Sequence, residues 1–596
     1  MKNVIELISE RITAAIEQAT CQKAAAVVTA ATDSKFGDYQ SNGAFALAKQ
    51  LKTNPRQLAE KVVAALQIDD ICLPPEIAGA GFINLRLKPE FVAESLMQIA
   101  ASQNLALEKT ANPQTIVVDF SGPNIAKQMH VGHLRSTILG DCICNMLGFI
   151  GHDVIRQNHI GDWGKQFGML CALYDRKCIE MSRQGKTLNT SETLSDIEAF
   201  YREAQQLCNT DKEFDQEARE AIAGLHSGSQ VWLARWEEIV SYSREHYEKI
   251  YETLKVSLYD HHVCGESFYK DKLADVVNDL KQKKDSQGNP LAVESDGAIC
   301  VFPEGFKTKE GNPMPFIIQK TDGAFLYATT DLAALRYRVN ELKADRIIYV
   351  TDARQKLHFE MLFAVAKMAG WVDDNIKLDH ITFGSVMGED GKPLKTRSGE
   401  NVKLKDLLDE AVKRAKAVVE EKNPELSADE KEKIANAVGI GAVKYADYSN
   451  NRTSDYIFSF DKMLAMEGNT APYMQYAYAR VKSIGRKAEQ KGIDVGSEIK
   501  NIKTLSLTEP AELALAKHLI KYGQSINTAL SDLRPNFLTN YLYELAQEFS
   551  GFYNACPVLD APPENRPTRL LLCDLTAKTI RHGLENLLGI KIIDRM

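Results

Sequence analysis

The chain runs to 596 residues, more than one hydrophobic core holds, so three or four domains are expected. A hydrophobic fraction of 44%, a charged fraction of 26% and 19 prolines exclude an intrinsically disordered chain. The absence of any apolar run of about 18 residues argues against a membrane-spanning helix, and a net charge of −8 argues against a generic DNA-coating protein. The charge is uneven: residues 451–596 carry two more cations than anions, and the rest ten more anions than cations. That contrast permits a nucleic-acid surface near the C-terminal end.

The chain opens with MKNVIELISERITAAIEQAT, which reads as an amphipathic helix with Val4, Ile5, Ile8, Ile12 and Ile16 on one side, not as a signal peptide. The eleven cysteines are scattered, with no CxxC pair, and Cys142 and Cys144 both lie inside a helical pattern. A structural zinc needs four converging ligands, so reduced core thiols in a cytoplasmic protein and no protein-bound metal are the expectation. Residues 1–110 form a first α+β unit, with the loop-to-helix stretch KFGDYQSNGAFALAKQL and the strand-like GAGFINLRL.

From 115 the pattern becomes strand, helix, strand: TIVVDF, then a helix ending near Gly151, then DVIRQNHI. This βαβ pattern predicts a Rossmann-like parallel sheet. Its domain spans 111–387, with a mainly helical insertion over about 165–320 and turn-rich strand segments near 285–328. The α/β pattern resumes with ADRIIYVTDARQ and HITFGSVM. A loop and helical junction (388–450) and an all-α domain (451–596) complete the chain.

The most informative stretch is DFSGPNIAKQMHVGHLRSTILGD, residues 119–141, at the first strand-to-helix corner. Ligands of open α/β sheets sit beyond the carboxyl ends of strands, where a helix N-terminus offers free N–H groups and partial positive charge. His130 and His133 are three apart and so share a helical face, and Gly132 lets a flat base approach the backbone. The motif is neither a P-loop nor a GxGxxG fingerprint. A lone HxGH is also compatible with a cap or core histidine pair, but Pro123, Asn124, Lys127, His130, Gly132 and His133 directly after a strand are far more specific.

SGPNIAKQMHVGH resembles the His-Ile-Gly-His signature of the class I aminoacyl-tRNA synthetases, in the form carried by the arginyl-tRNA synthetase family. The resemblance continues through NHIGDWGKQFGML (158–170), LYATTDLAA (326–334), QYAYARVKSI (475–484) and the terminal DRM. It implies activation of L-arginine with ATP and Mg²⁺, release of pyrophosphate, and transfer to the 3′ end of tRNA(Arg), with tRNA needed for the activation. It also implies a soluble monomer with no membrane partner and a helical C-terminal domain that binds the anticodon.

The family's second signature loop falls at GEDGKPLKTRSGENVKL (388–404), with cations Lys392, Lys395 and Arg397. On local grounds it also reads as a solvated charged hairpin. The signature's second lysine is not recognisable, and the resemblance implies that Lys127 supplies the missing charge. Adenylate formation asks the protein for positioning and charge neutralisation. Lys127, His130, His133 and Lys395 are accordingly the expected catalytic donors, with Gly132, Lys392 and Arg397 completing the ATP site.

For the amino acid, the resemblance implies that Asp331 pairs with the guanidinium beside Tyr327, four residues earlier on one helical face. A carboxylate matches the planar fork of donors that arginine presents. The plainer reading of Asp331 is a helix cap after Thr-Thr. Ser121, Asn124, Gln355 and His133 are expected at the α-amino and carboxylate end. For tRNA, loop bases are read by aromatic stacking and edge hydrogen bonds. Tyr473, Tyr476, Arg480 and Lys482 are the C-terminal candidates, though each tyrosine could equally be amphipathic core, and Phe36, Tyr39 and Asn42 are those of the first domain. Alternatives are another class I synthetase, a small nucleotidyltransferase, or a non-catalytic RNA-binding paralogue. The chain length and the Tyr327/Asp331 pair weigh against the transferase, and the retained HVGH, Lys127 and Asp331 against the paralogue.

Overall fold

A computed structural model describes residues 2–395 and 402–596. They form two compact units. One comprises the chain up to Lys109 together with Ala465–Leu587 and Lys591–Met596, the other Thr110–Leu464 with Leu588–Ile590. The stretches expected as separate first and last domains thus contribute to one unit. The physical reason is burial: the helix Pro89–Ala101 packs on the helices Pro510–Leu519 and Arg566–Arg581. Lys517 pairs with Asp38 at 2.8 Å, both side chains largely shielded from water.

The N-terminal part of this unit carries an antiparallel sheet in the order Val28–Ala30, Tyr39–Ser41, Phe82–Leu85, Glu76–Ala78. Its remainder is helical, from Ala471–Gln490 to Arg566–Arg581. The opening amphipathic helix is Val4–Thr20 and buries Val4, Ile8, Ile12 and Ile16, while Ile5 is half-buried.

The second unit is built on a parallel four-stranded sheet in the order Lys377–Phe383, Arg346–Asp352, Thr115–Asp119, Asp153–Gln157. Ile116, Val117 and Val118 are fully buried, as a central strand covered on both faces requires. The helix Val131–Phe149 is covered nearly all round and buries fourteen of its residues, the charged Arg135 and Asp141 among them. Gly140 lets it lie against Phe120, whose ring carbon Cγ is 2.2 Å from where a Cβ would stand.

The insertion consists of the helices Lys165–Arg183, Ile197–Thr210, Lys212–His226, Gln230–Leu254 and Leu273–Gln282, with short helical turns between some of them. A three-stranded antiparallel sheet, Ala292–Ser295, Ala298–Val301 and Phe316–Gln319, then leads into the helix Tyr327–Asn340. Ser121, Asn124, His159 and Gln355 follow within a few residues of the carboxyl ends of the parallel strands Thr115–Asp119, Asp153–Gln157 and Arg346–Asp352. Among the described residues, no helix is long and apolar enough to cross a membrane.

Candidate active site

The strand Thr115–Asp119 ends in a turn where Ser121 (φ 72°) and Gly122 (φ 49°) adopt left-handed backbone. A non-glycine residue there is held by its surroundings. The Ser121 N–H donates to Ser136 Oγ at 2.9 Å, and Ser136 donates in turn to the Val350 carbonyl at 2.6 Å. The Ser121 hydroxyl is turned inward, 2.8 Å from Thr137 Oγ1 and 2.7 Å from Tyr251 OH. Asn158 closes the network, donating to Tyr251 OH at 3.0 Å and accepting from the Gly122 N–H at 3.0 Å. Ser121 therefore fixes the turn, and its side chain does not face the crevice as expected. Asn124 accepts from the Ala126 N–H at 3.1 Å and donates to Gln166 at 3.2 Å.

His130 caps the helix Val131–Phe149. Its Nδ1 accepts from the Gly132 N–H at 3.0 Å, and His133 Nδ1 accepts from the His130 N–H at 3.1 Å. An accepting Nδ1 leaves the proton of a neutral imidazole on Nε2, so both rings carry an N–H donor outward. Burial, helped by the neighbouring His130, pushes His133 down to about 3. His130 is also lowered, by burial and by the cations Arg354 and Lys127. Both histidines are hence neutral donors at physiological pH. Gly132 has a reason beyond access for a base: a Cβ there would stand 2.8 Å from His130 Cε1. Lys127 is exposed, its Nζ 5.0 Å from the centre of the Tyr201 ring on the insertion.

The second loop starts from the strand Val386–Met387, which pairs with Tyr456–Ile457. Gly388 donates to the Lys392 carbonyl at 2.7 Å, making a tight hairpin that leaves Lys392 and Lys395 exposed. Arg397 lies outside the described residues. The far side of the loop returns to the HVGH corner: Val131 N–H donates to the Val402 carbonyl at 3.0 Å and Leu404 N–H to the Met129 carbonyl at 2.9 Å. Two signatures far apart in sequence thus share backbone hydrogen bonds.

A second cluster is acidic. Tyr327 and Asp331 open the helix Tyr327–Asn340, whose N-cap is Leu326, so Asp331 is not the cap. Its carboxylate accepts from His358 Nε2 at 2.6 Å and lies 3.6 Å from His159 Nε2. His358 sits between aromatic rings, 5.6 Å from Phe316 and 5.0 Å from Tyr327 by centroids. Tyr327 is 64% exposed and free to cover a ligand. Burial pushes Glu266 up to about 8, with the like charges of Asp162 and Asp331 adding to it. Asp162 is raised by burial although Ser267 donates to it at 2.6 Å. Gly265 makes room, since a Cβ there would stand 2.6 Å from an Asp162 oxygen. Glu266 and Asp162 are thus held close together against desolvation, with Asp331 near Glu266, an arrangement that a bound cation would relieve. Gln355 is exposed in the turn after the strand Arg346–Asp352.

Glu266, His159, His358 and Arg354 were not anticipated. NHIGDWG contained a signal for His159 and Asp162, whereas Glu266 stands in a short helical turn with no pattern around it.

In the other unit, Tyr476 is 43% exposed on the helix Ala471–Gln490, Tyr473 is half-buried, and the Arg480 guanidinium stacks 4.6 Å from the Tyr553 ring. Lys482 and Asn42 are exposed, and Phe36 is half-buried beneath Lys35. Tyr39 is fully buried, its hydroxyl donating to Gln524 at 3.3 Å, so it offers no stacking face and does not contact RNA as expected.

An HxGH helix N-terminus thus stands after the central strand of a parallel sheet, with a lysine-bearing loop hydrogen-bonded back onto it, and the comparisons with known proteins give the class as class I tRNA synthetase. The family model described as tRNA synthetases class I (R), catalytic domain, matches residues 95–460. Models for the DALR anticodon binding domain and the arginyl tRNA synthetase N terminal domain match 474–596 and 5–87. Arginine–tRNA ligase of Chromobacterium violaceum is 49% identical over 591 residues, 99% of each chain. That of a Picosynechococcus strain is 50% identical over 96% of this chain and 95% of its own. The arginyl-tRNA synthetase structures of Plasmodium falciparum and Thermus thermophilus superpose with TM-scores of 0.85 and 0.80, at 30% and 26% identity, each over 100% of both chains. The chain belongs to the arginyl-tRNA synthetase family.

Proposed function

We infer that the protein is an arginine–tRNA ligase that makes arginyl-adenylate from L-arginine and ATP, then passes arginine to the 3′ end of tRNA(Arg). The observation that carries the reading is the paired architecture: neutral histidine donors at a helix N-terminus, and a half-buried acidic cluster of Glu266 and Asp331 with His358 beside it. The arginine carboxylate attacks the α-phosphate and pyrophosphate leaves. His130 and His133 donate from Nε2 to phosphate oxygens, a contact that strengthens as charge develops there. Lys127, with Lys392 and Lys395 of the second loop and Arg397 beyond the described residues, neutralises the triphosphate.

Magnesium travels with ATP, held by phosphate oxygens and water. The described residues around the phosphate corner are donors and cations, and no metal-ligating group of carboxylates, histidines or cysteines occurs among them. At the amino-acid end, Asp331 and Glu266 take the guanidinium and Tyr327 closes over it. Asn124 and Gln355 hold the α-amino and carboxylate groups, supported by the turn that Ser121 fixes.

Transfer requires tRNA on the same molecule. The match to an anticodon-binding domain over 474–596 supports Tyr476, Arg480 and Lys482 as anticodon contacts, and Tyr473 directly precedes it on the same helix. Phe36 and Asn42 are the contacts proposed for the N-terminal part. The protein works in the cytoplasm as a monomer and needs tRNA(Arg) bound before it activates arginine. Amino-acid-dependent ATP–pyrophosphate exchange, run with each amino acid and with or without tRNA(Arg), tests the whole reading. Exchange with arginine alone among amino acids, and only with tRNA, is expected. Exchange driven by another amino acid, or none with tRNA present, overturns it.

A further inference from the structure

The segment NHIGDWG follows the strand Asp153–Gln157 directly, and the reading above leaves its histidine without a task. His159 Nδ1 lies 3.0 Å from the Cys264 carbonyl oxygen. A carbonyl only accepts, so Nδ1 carries the hydrogen, and in the neutral ring Nε2 presents a lone pair. That lone pair faces Asp331 Oδ1 at 3.6 Å. Asp331 is fixed from its other side, because His358 Nε2 lies 2.6 Å from Oδ2 and an ionised carboxylate can only accept from it. The His159 ring is held in place as well, packed 5.5 Å from the Tyr269 ring by centroids. In the neutral ring, two oriented acceptors thus stand 3.6 Å apart with no hydrogen bond joining them.

We propose that His159 Nε2 is a second acceptor for the arginine guanidinium and takes one of its N–H groups beside Oδ1 of Asp331. The planar fork of N–H groups in a guanidinium spans two such acceptors, whereas an ammonium, a point charge with tetrahedral donors, does not satisfy both with the same geometry. His159 thereby adds a test of shape to the test of charge made by Asp331 and Glu266. Cys264, whose carbonyl sets the tautomer, is a positioning residue through its main chain. The inference rests on arginine being the substrate.

The test compares His159→Asn with His159→Gln by ATP–pyrophosphate exchange in the presence of tRNA(Arg). Asparagine keeps a donor near the Nδ1 position and deletes the ε atom, while glutamine restores an amide oxygen near Nε2. For His159→Asn the arginine KM is expected to rise about 10- to 100-fold, the loss of one hydrogen bond to a charged group, with ATP KM and kcat within about threefold of wild type. His159→Gln is expected to recover about tenfold of that loss. An unchanged arginine KM in His159→Asn overturns the proposal, as does a parallel rise in ATP KM, or glutamine performing no better than asparagine. Thermal melting of both variants identifies a folding defect. Should the asparagine chain not fold, a His159→Gln arginine KM more than about tenfold above wild type overturns the proposal, and one within that limit supports it. Wild-type enzyme that fails to use arginine overturns the functional reading instead, so the two failures are separable.

Discussion

The corner proposed to take phosphate and the cluster proposed to take the guanidinium are built on opposite principles. At the corner, a short contiguous stretch does nearly everything. The helix N-terminus supplies its own field, and two histidines are kept neutral so that they donate without adding charge. In the pocket, Asp331, Glu266, His159 and His358 arrive from different segments, and carboxylates are held together at an electrostatic cost. The corner needs only local geometry, since His130 and His133 are oriented by hydrogen bonds within the first turn of one helix. The pocket needs tertiary convergence, because a planar cation is met only by separate side chains. Arginine and ATP carry opposite charge, and the protein answers each with a different kind of structure.

The largest expected effect breaks the pocket. Asp331→Ala leaves His358 without its partner and the guanidinium without its main counter-charge. Arginine kcat/KM should fall by about 100- to 1000-fold, while ATP KM moves by less than about threefold. Steady-state exchange kinetics with each substrate varied in turn measure this, and equal loss toward both substrates would dissolve the distinction between the two regions. The mirror-image change is His133→Ala. Losing a donor to charge that develops in the transition state should lower kcat by about 100-fold or more and leave arginine KM nearly unaltered. A variant that lost arginine affinity but kept kcat would place His133 at the wrong end.

The placing of His130 and His133 at a helix start was legible because it is set within one helical turn. Even so, the contact of Lys127 with Tyr201, on a helix far along the chain, was not. Glu266 could not be read at all: a lone glutamate in GESFY gains meaning only when folding sets it beside Asp162 and Asp331. Ser121 and Tyr39 show the converse. Polar or aromatic character suggested contact with ligand or RNA, and burial gave both a structural task. The division of the chain was also only partly readable. Helical and strand patterns mark local elements, but nothing in them says that residues near both ends fold into one unit.

Two smaller effects sharpen the comparison. Tyr476→Ala should raise the KM for tRNA(Arg) by about tenfold, the scale of one lost base stack, with arginine and ATP constants unchanged at saturating tRNA. Filter-binding at fixed salt is an independent check. The pH dependence is subtler. Glu266 sits up at about 8, so in the free enzyme its carboxyl is mostly protonated at neutral pH. A bound guanidinium favours the ionised form, so arginine binding should release a proton. Arginine affinity should therefore rise with pH, by up to about tenfold per unit, and level off above about 8. Glu266→Gln should flatten that rise. A persistent slope in the variant would assign the proton to another group.

The central claim is that the acidic pocket, and Asp331 within it, selects the guanidinium. Citrulline keeps the length and planarity of arginine but replaces the charged fork with a neutral ureido group, whose oxygen accepts where the pocket also accepts. The ratio of kcat/KM for arginine to that for citrulline, measured by pyrophosphate exchange in wild type and Asp331→Ala, tests the claim most directly. A wild-type ratio of about 1000 or more that falls by at least about tenfold in the variant is the predicted result. A ratio near one in wild type, or one that Asp331→Ala leaves intact, would contradict it.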